Sequence, residues 1–161
     1  MPYEKNLTVK HLKVKESEKI PFKVVNATTT LYGEDSGKTV PIPLITNPIN
    51  VTLPSANKGR NLKAVLNQVG GSSVVLGANV TISVKNSGEF INTHLASIPI
   101  NSGDSGDVFS TGTSTKITII GANAIAGTNL NFVCNGSNIW TVTGYGVETN
   151  AAASNSLFTL A

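Results

Sequence analysis

Charge is scarce in this chain. Only 13% of its 161 residues are Asp, Glu, Lys or Arg, and just nine are acids. Glycoside hydrolysis sets two carboxylates across a sugar. Five of the acids fall in the first fifty residues, leaving Glu89, Asp104, Asp107 and Glu148, a poor supply for such a pair. Aromatics are scarce too, at 6%. Histidine occurs twice, at His11 and His94, and neither has a second ligand at metal-site spacing. Asp104 and Asp107 lie in NSGDSGD, which lacks the alternating acids and final Glu of a calcium loop. The single cysteine, Cys134, excludes an internal disulfide and a multi-cysteine metal site within one chain. There is no Gly-x-Ser-x-Gly elbow and no glycine-rich phosphate loop before a helix. No enzyme, metal or cofactor is expected. No apolar run approaches the roughly 18 residues of a membrane helix. The opening MPYEKNLTVKHLKVKESEK lacks the apolar stretch of a secretory signal, so synthesis in a cytoplasm is expected.

What fills the chain instead is small and polar. Asn, Thr, Ser and Gly make up 66 of the 161 residues, a composition of short strands and many turns. With 40% apolar residues and this length, one domain with a real core is expected. The net charge of +3 hides an asymmetry: residues 1–63 hold ten of the twelve basic residues, and residues 64–161 hold two. The basic part suits nucleic acid, a membrane or an acidic protein surface, or is only a solvated segment. Its lysines, Lys10, Lys13, Lys15, Lys19 and Lys23, are not interleaved with aromatics as nucleic-acid binding requires. They read as an attachment arm.

Residues 6–15, NLTVKHLKVK, alternate like a strand with one slip at His11. EDSGK at 34–38 is a turn. VPIPLITNPINVTLP, with four prolines, reads as an extended linker or an arm lying on a neighbour. LKAVLNQVG at 62–70 suits a short helix or a strand. Strands are expected around 80–84, 115–121, 129–134 and 139–144, each bounded by Gly or Asn. EFINTHLASIPI at 89–100 suggests one helical turn around Phe90–Leu95. This spacing predicts an all-β, antiparallel sandwich or jelly-roll-like domain. The boundaries read as an arm over 1–50, a domain over 51–146 and a tail over 147–161. The apolar tip of the tail, Leu157–Leu160, is suited to docking.

NFVCNGSNIWTVTGYG, 131–146, holds the only Trp and the only Cys. It reads as a closing hairpin, with Leu130, Phe132 and Cys134 on one face and Asn135–Gly136–Ser137–Asn138 as the turn. Trp140 and Val142 share one face of the return strand. Cys134 lies mid-strand among apolar neighbours, where a buried inert thiol is expected.

Two fragments carry a resemblance. Val51-Thr52-Leu53-Pro54-Ser55-Ala56 with Gly59, and Asn135-Gly136-Ser137-Asn138 with Trp140, resemble the opening and the close of β-rich modules of bacteriophage fibres and other virion surface proteins. The likeness brackets 51–146 and departs from the family over 89–114. It implies a non-enzymatic virion component, a homotrimer. It would be a capsid decoration or cement protein, or a short head fibre, held on the major capsid protein or another virion protein by its arm. The alternative is a fibre tip that recognises a host cell-surface glycan through loops 101–114 and 121–129. Phe132, Asn135, Gly136 and Trp140 then have structural roles, and nucleic acid and membrane are not expected partners.

Overall fold

The computed structural model describes residues 21–57, 59–66, 75–100, 106–149 and 157–161. Eleven strands follow in chain order: β1 (Thr29–Thr30), β2 (Thr39–Ile42), β3 (Ile49–Thr52), β4 (Asn61–Leu66), β5 (Val80–Ser83), β6 (Phe90–Pro99), β7 (Val108–Ser114), β8 (Lys116–Ile119), β9 (Asn129–Cys134), β10 (Ile139–Glu148) and β11 (Phe158–Leu160). A short 3-10 turn, Gly33–Asp35, lies between β1 and β2. The strands form a five-stranded sheet, β1-β3-β5-β8-β11, and a six-stranded sheet, β2-β4-β9-β10-β6-β7. One apolar core joins them. Val51, Val80, Ile82, Ile117 and Ile119 come from the first sheet, and Leu62, Ile91, Leu95, Leu130, Phe132, Trp140 and Val142 from the second. All are buried, and each is one member of a two-residue alternation, so strand period and burial agree.

The sandwich-like architecture is as expected; the strand directions are not. Four of the nine pairings are parallel: β1/β3, β3/β5, β2/β4 and β6/β10. The antiparallel or jelly-roll-like order is therefore corrected to two mixed sheets. From β1 to β5 the chain changes sheet at every connection. Strands two apart in sequence become neighbours and run the same way, which a tight hairpin cannot produce.

The expected arm differs as well. From Pro21 onward it belongs to the sandwich, supplying β1, β2 and β3 and the buried side chains Val25, Leu31, Val40, Ile42, Ile45 and Ile49. The proline-rich stretch is extended, but it pairs within its own chain. Pro41 stands on β2, and its carbonyl accepts the Val25 N–H on the outer side. Its missing N–H faces the same way, so no bond to β4 is lost. Of the two alternatives for 62–70, the described part is strand: NLKAVL, 61–66, is β4. Residues 90–99 are one ten-residue strand, not a helical turn, with burial alternating along it.

The C-terminal segment docks on its own molecule. Leu157 and Phe158 are buried, and β11 runs antiparallel to β8. The Ala161 carbonyl accepts the Thr115 and Lys116 N–H groups at 2.6 and 2.9 Å. The Phe158 ring meets Phe109 edge-on, centroids 5.3 Å apart. Val147 and Glu148, expected in the tail, complete β10.

Candidate functional site

The densest polar chemistry among the described residues surrounds the turn after β1. Tyr32 precedes the Gly33–Asp35 turn, and Asp35 folds back beneath it. Asp35 is 1% exposed. Its Oδ2 accepts Lys23 Nζ at 2.6 Å and the Tyr32 N–H at 2.9 Å; its Oδ1 accepts Lys38 Nζ at 2.8 Å. Burial alone would raise the carboxyl's pKa. The two ammonium groups and the Tyr32 amide overcome that and hold it down at about 2. Asp35 is thus a fixed anion clamping two lysines.

The clamp latches residues 21–25 to the edge of β2. Thr39 N–H donates to the Pro21 carbonyl, Lys23 N–H to the Thr39 carbonyl, and Val25 N–H to the Pro41 carbonyl, all at 3.0 Å. Lys23, expected as a free attachment cation, is instead spent on Asp35. The other expected arm lysines, Lys10, Lys13, Lys15 and Lys19, lie outside the described residues.

More cations gather around the same turn. Lys23 and Lys85 stand 5.7 and 5.8 Å from the centroid of the Tyr32 ring, which is 53% exposed. Arg60 donates from Nη1 to the Ser55 carbonyl at 2.6 Å, and its guanidinium packs against Gly33, where an added Cβ would lie 2.8 Å from Nη2. Four of the six described basic residues are therefore at one end of the sandwich, with an exposed aromatic ring among them. The sequence reading missed Tyr32, Asp35, Lys38, Lys85 and Arg60; the one available signal was the EDSGK turn.

A second buried acid, Glu89, is bonded to the backbone of Lys85, whose ammonium stands over Tyr32. Glu89 Oε1 accepts the Ala56 N–H at 2.8 Å and Asn86 Nδ2 at 2.7 Å; Oε2 accepts the Asn86 and Lys85 N–H groups at 3.2 and 3.3 Å. Burial works to raise its pKa, and these donors outweigh it and lower the value. Glu89 ties the β5–β6 turn to the segment after β3. With every carboxylate oxygen of Asp35 and Glu89 holding donors, neither is poised to move a proton.

The closing hairpin is built as β9, a turn over 135–138, and β10. Trp140 pairs with Cys134 and Val142 with Phe132. Leu130, Phe132, Cys134, Trp140 and Val142 all face the core, and Trp140 is 0% exposed. Asn135 and Gly136 are exposed in the turn, where Gly136 and Asn138 take positive φ of 106° and 57°. Tyr145 points to the opposite, outer face. The hairpin therefore does not assemble Cys134, Trp140 and Tyr145 into one site. His94 and Asp107 are exposed and apart on β6 and before β7, and no group of three His, Cys, Asp or Glu residues gathers among the described residues. His11 and Asp104 lie outside them. Comparison with family models, with curated proteins and with solved structures gives no match to this chain.

Proposed function

We propose that this chain is a non-enzymatic virion structural protein. It decorates or cements a capsid, or forms a short fibre on it, and it self-associates, as a trimer in the proteins it resembles. Residues 1–20 are the attachment element, and the major capsid protein or another virion protein is the partner. The observation that supports this reading is the Asp35 clamp. The lysine-rich segment 1–20 leads into the sandwich at Pro21, and residues 21–25 are latched by three backbone hydrogen bonds and the Lys23–Asp35 ion pair. A pull on the segment is thereby borne by the sheet edge and not by a loose loop. Lys85 and Arg60, neither of them paired with Asp35, continue the cationic side chains of that segment onto the body of the domain. Many weak contacts of this kind, repeated over a particle, give strong net attachment.

The test is truncation at the right place. A chain lacking residues 1–20 keeps every described strand, so it folds and is expected to leave the particle. Particles that retain the truncated chain at full copy number overturn the attachment role.

A second reading has one observation in its favour: Tyr32, exposed between two lysines, suits stacking on a sugar that carries an acidic group. Of the two loops expected for a glycan, 101–114 and 121–129, residues 108–114 of the first are strand β7, and Tyr32 belongs to neither. Binding of the full chain to acidic glycans on an array, abolished by Tyr32→Ala, would favour the fibre-tip role.

A further inference from the structure

Two sheets have four edges, and three of them are blunted. β1 is two residues long and β11 three. The edge of β2 is covered by residues 21–25, a strip that carries Pro21 and Lys23. These are the usual devices against edge-to-edge pairing. β7 has none of them in its first half. Its sequence, VFSTGTS, holds no proline and no charge, and no described strand lies on its outer side.

The ladder with β6 says which of its groups are free. Ser97 N–H donates to the Asp107 carbonyl, so 97/107 is a bonded pair; Leu95/Phe109 and Thr93/Thr111 follow in the same phase. In an antiparallel ladder the intervening residues turn their N–H and C=O groups the other way. Val108 and Ser110 therefore aim theirs away from β6. Both residues are exposed, Val108 at 80%. A register shift between Ile91 and Thr93 places an extra β7 residue near Gly112, which limits the straight edge to Val108–Thr111.

We propose that this edge pairs with the same edge of a second copy of the chain. Outward N–H and C=O groups alternating at this spacing match those of another extended backbone. The absence of charge on the edge lets a copy approach without like-charge repulsion. The match is self-complementary in one register: with Phe109 opposite the partner's Phe109, Val108 exchanges both backbone bonds with the partner's Ser110, and Ser110 with the partner's Val108. The side chains reinforce it. Val108 shares the outer face of the sheet with Tyr145 through the row Tyr145–Ala96–Val108, and Val147 pairs with Ile98 in the same corner. Tyr145 and Ile98 are 41% and 46% exposed. The contact is two-fold and closes at two copies. It is thus separate from the three-fold contact in the proposed function and does not depend on that reading.

Native mass spectrometry and amide exchange on the full chain test it. Ser110→Pro removes an outward N–H that β6 does not use, and Val108→Lys puts a charge on the edge. From its smallest species, one chain of 16.7 kDa or the trimer of the proposed function, the wild type is expected to double in mass as concentration rises, and both variants are expected not to. Exchange at Val108 and Ser110 is expected to slow with concentration, while Phe109 and Thr111, already bonded to β6, do not change. A wild type whose mass does not double, a doubled mass that the variants keep, or exchange at Val108 and Ser110 that ignores concentration overturns the proposal.

Discussion

Trp140 was conspicuous in the chain before anything was known of its surroundings, and its environment is now plain. The ring is fully buried, opposite Cys134, and its Nε1 finds no acceptor among the described residues. It fills volume. Trp140→Ala should lower the unfolding free energy by about 3–5 kcal/mol, read from urea melts. A variant with an unshifted midpoint would show the ring to be dispensable to the core. Asp35 had no such visibility. EDSGK marks a turn, but nothing local says that Asp35 is buried or that Lys23, twelve residues earlier, reaches it. Its contribution carries a pH signature. The folded pKa of about 2 lies below the ordinary 3.8, so the stabilisation is fully present above about pH 4 and is lost as pH falls towards 2. The size is about 2 kcal/mol. Asp35→Asn should be less stable at neutral pH and should lose less stability than the wild type between pH 5 and pH 2. Parallel pH profiles for the two proteins would refute the clamp.

Strands β5, β8 and β9 were legible because their inward members are all apolar. β6 was not, and the reason is specific. Its inward residues are Ile91, Thr93, Leu95 and Ser97, so half of the buried face is polar. The hydroxyls are tolerated because each accepts a bond from the segment paired alongside β6: Thr93 Oγ1 from the Thr111 N–H, and Ser97 Oγ from the Asp107 N–H. Those partners are ten and eighteen residues away, beyond any local pattern. Gly144, in the middle of β10, has a different cause: with φ of 146° it lies so close to β9 that an added Cβ would collide with the Asn129 carbonyl. The C-terminal strand is the clearest case for a test. Removing residues 157–161 takes away the buried Leu157 and Phe158, and at about 1.5–3 kcal/mol for each side chain the loss should be visible as a lower melting temperature. An unchanged melt would mean that the segment only rests on the surface.

For the molecule as one body, the boundary drawn at residue 50 was the largest misreading. A chain lacking 1–50 loses β1, β2 and the start of β3, with six buried apolar side chains and the Asp35 clamp, and should not fold; circular dichroism would show whether it retains native strand content. The chain lacking only 1–20 is the proper comparison. Proline-rich, alternating segments look alike whether they lie on a neighbour or inside their own sandwich, because both are extended. Composition and two-residue periodicity were enough for an all-β chain with a single core and a closing hairpin around Asn135–Gly136, since those depend on local backbone preference and on which face is apolar. Strand direction, the crossing between sheets and the pairing of Asp35 with Lys23 and Lys38 were decided by the tertiary structure alone. Alternation tells which side of a strand is buried, and it is the same for a parallel and an antiparallel neighbour. Only the path of the chain across the core selects between them.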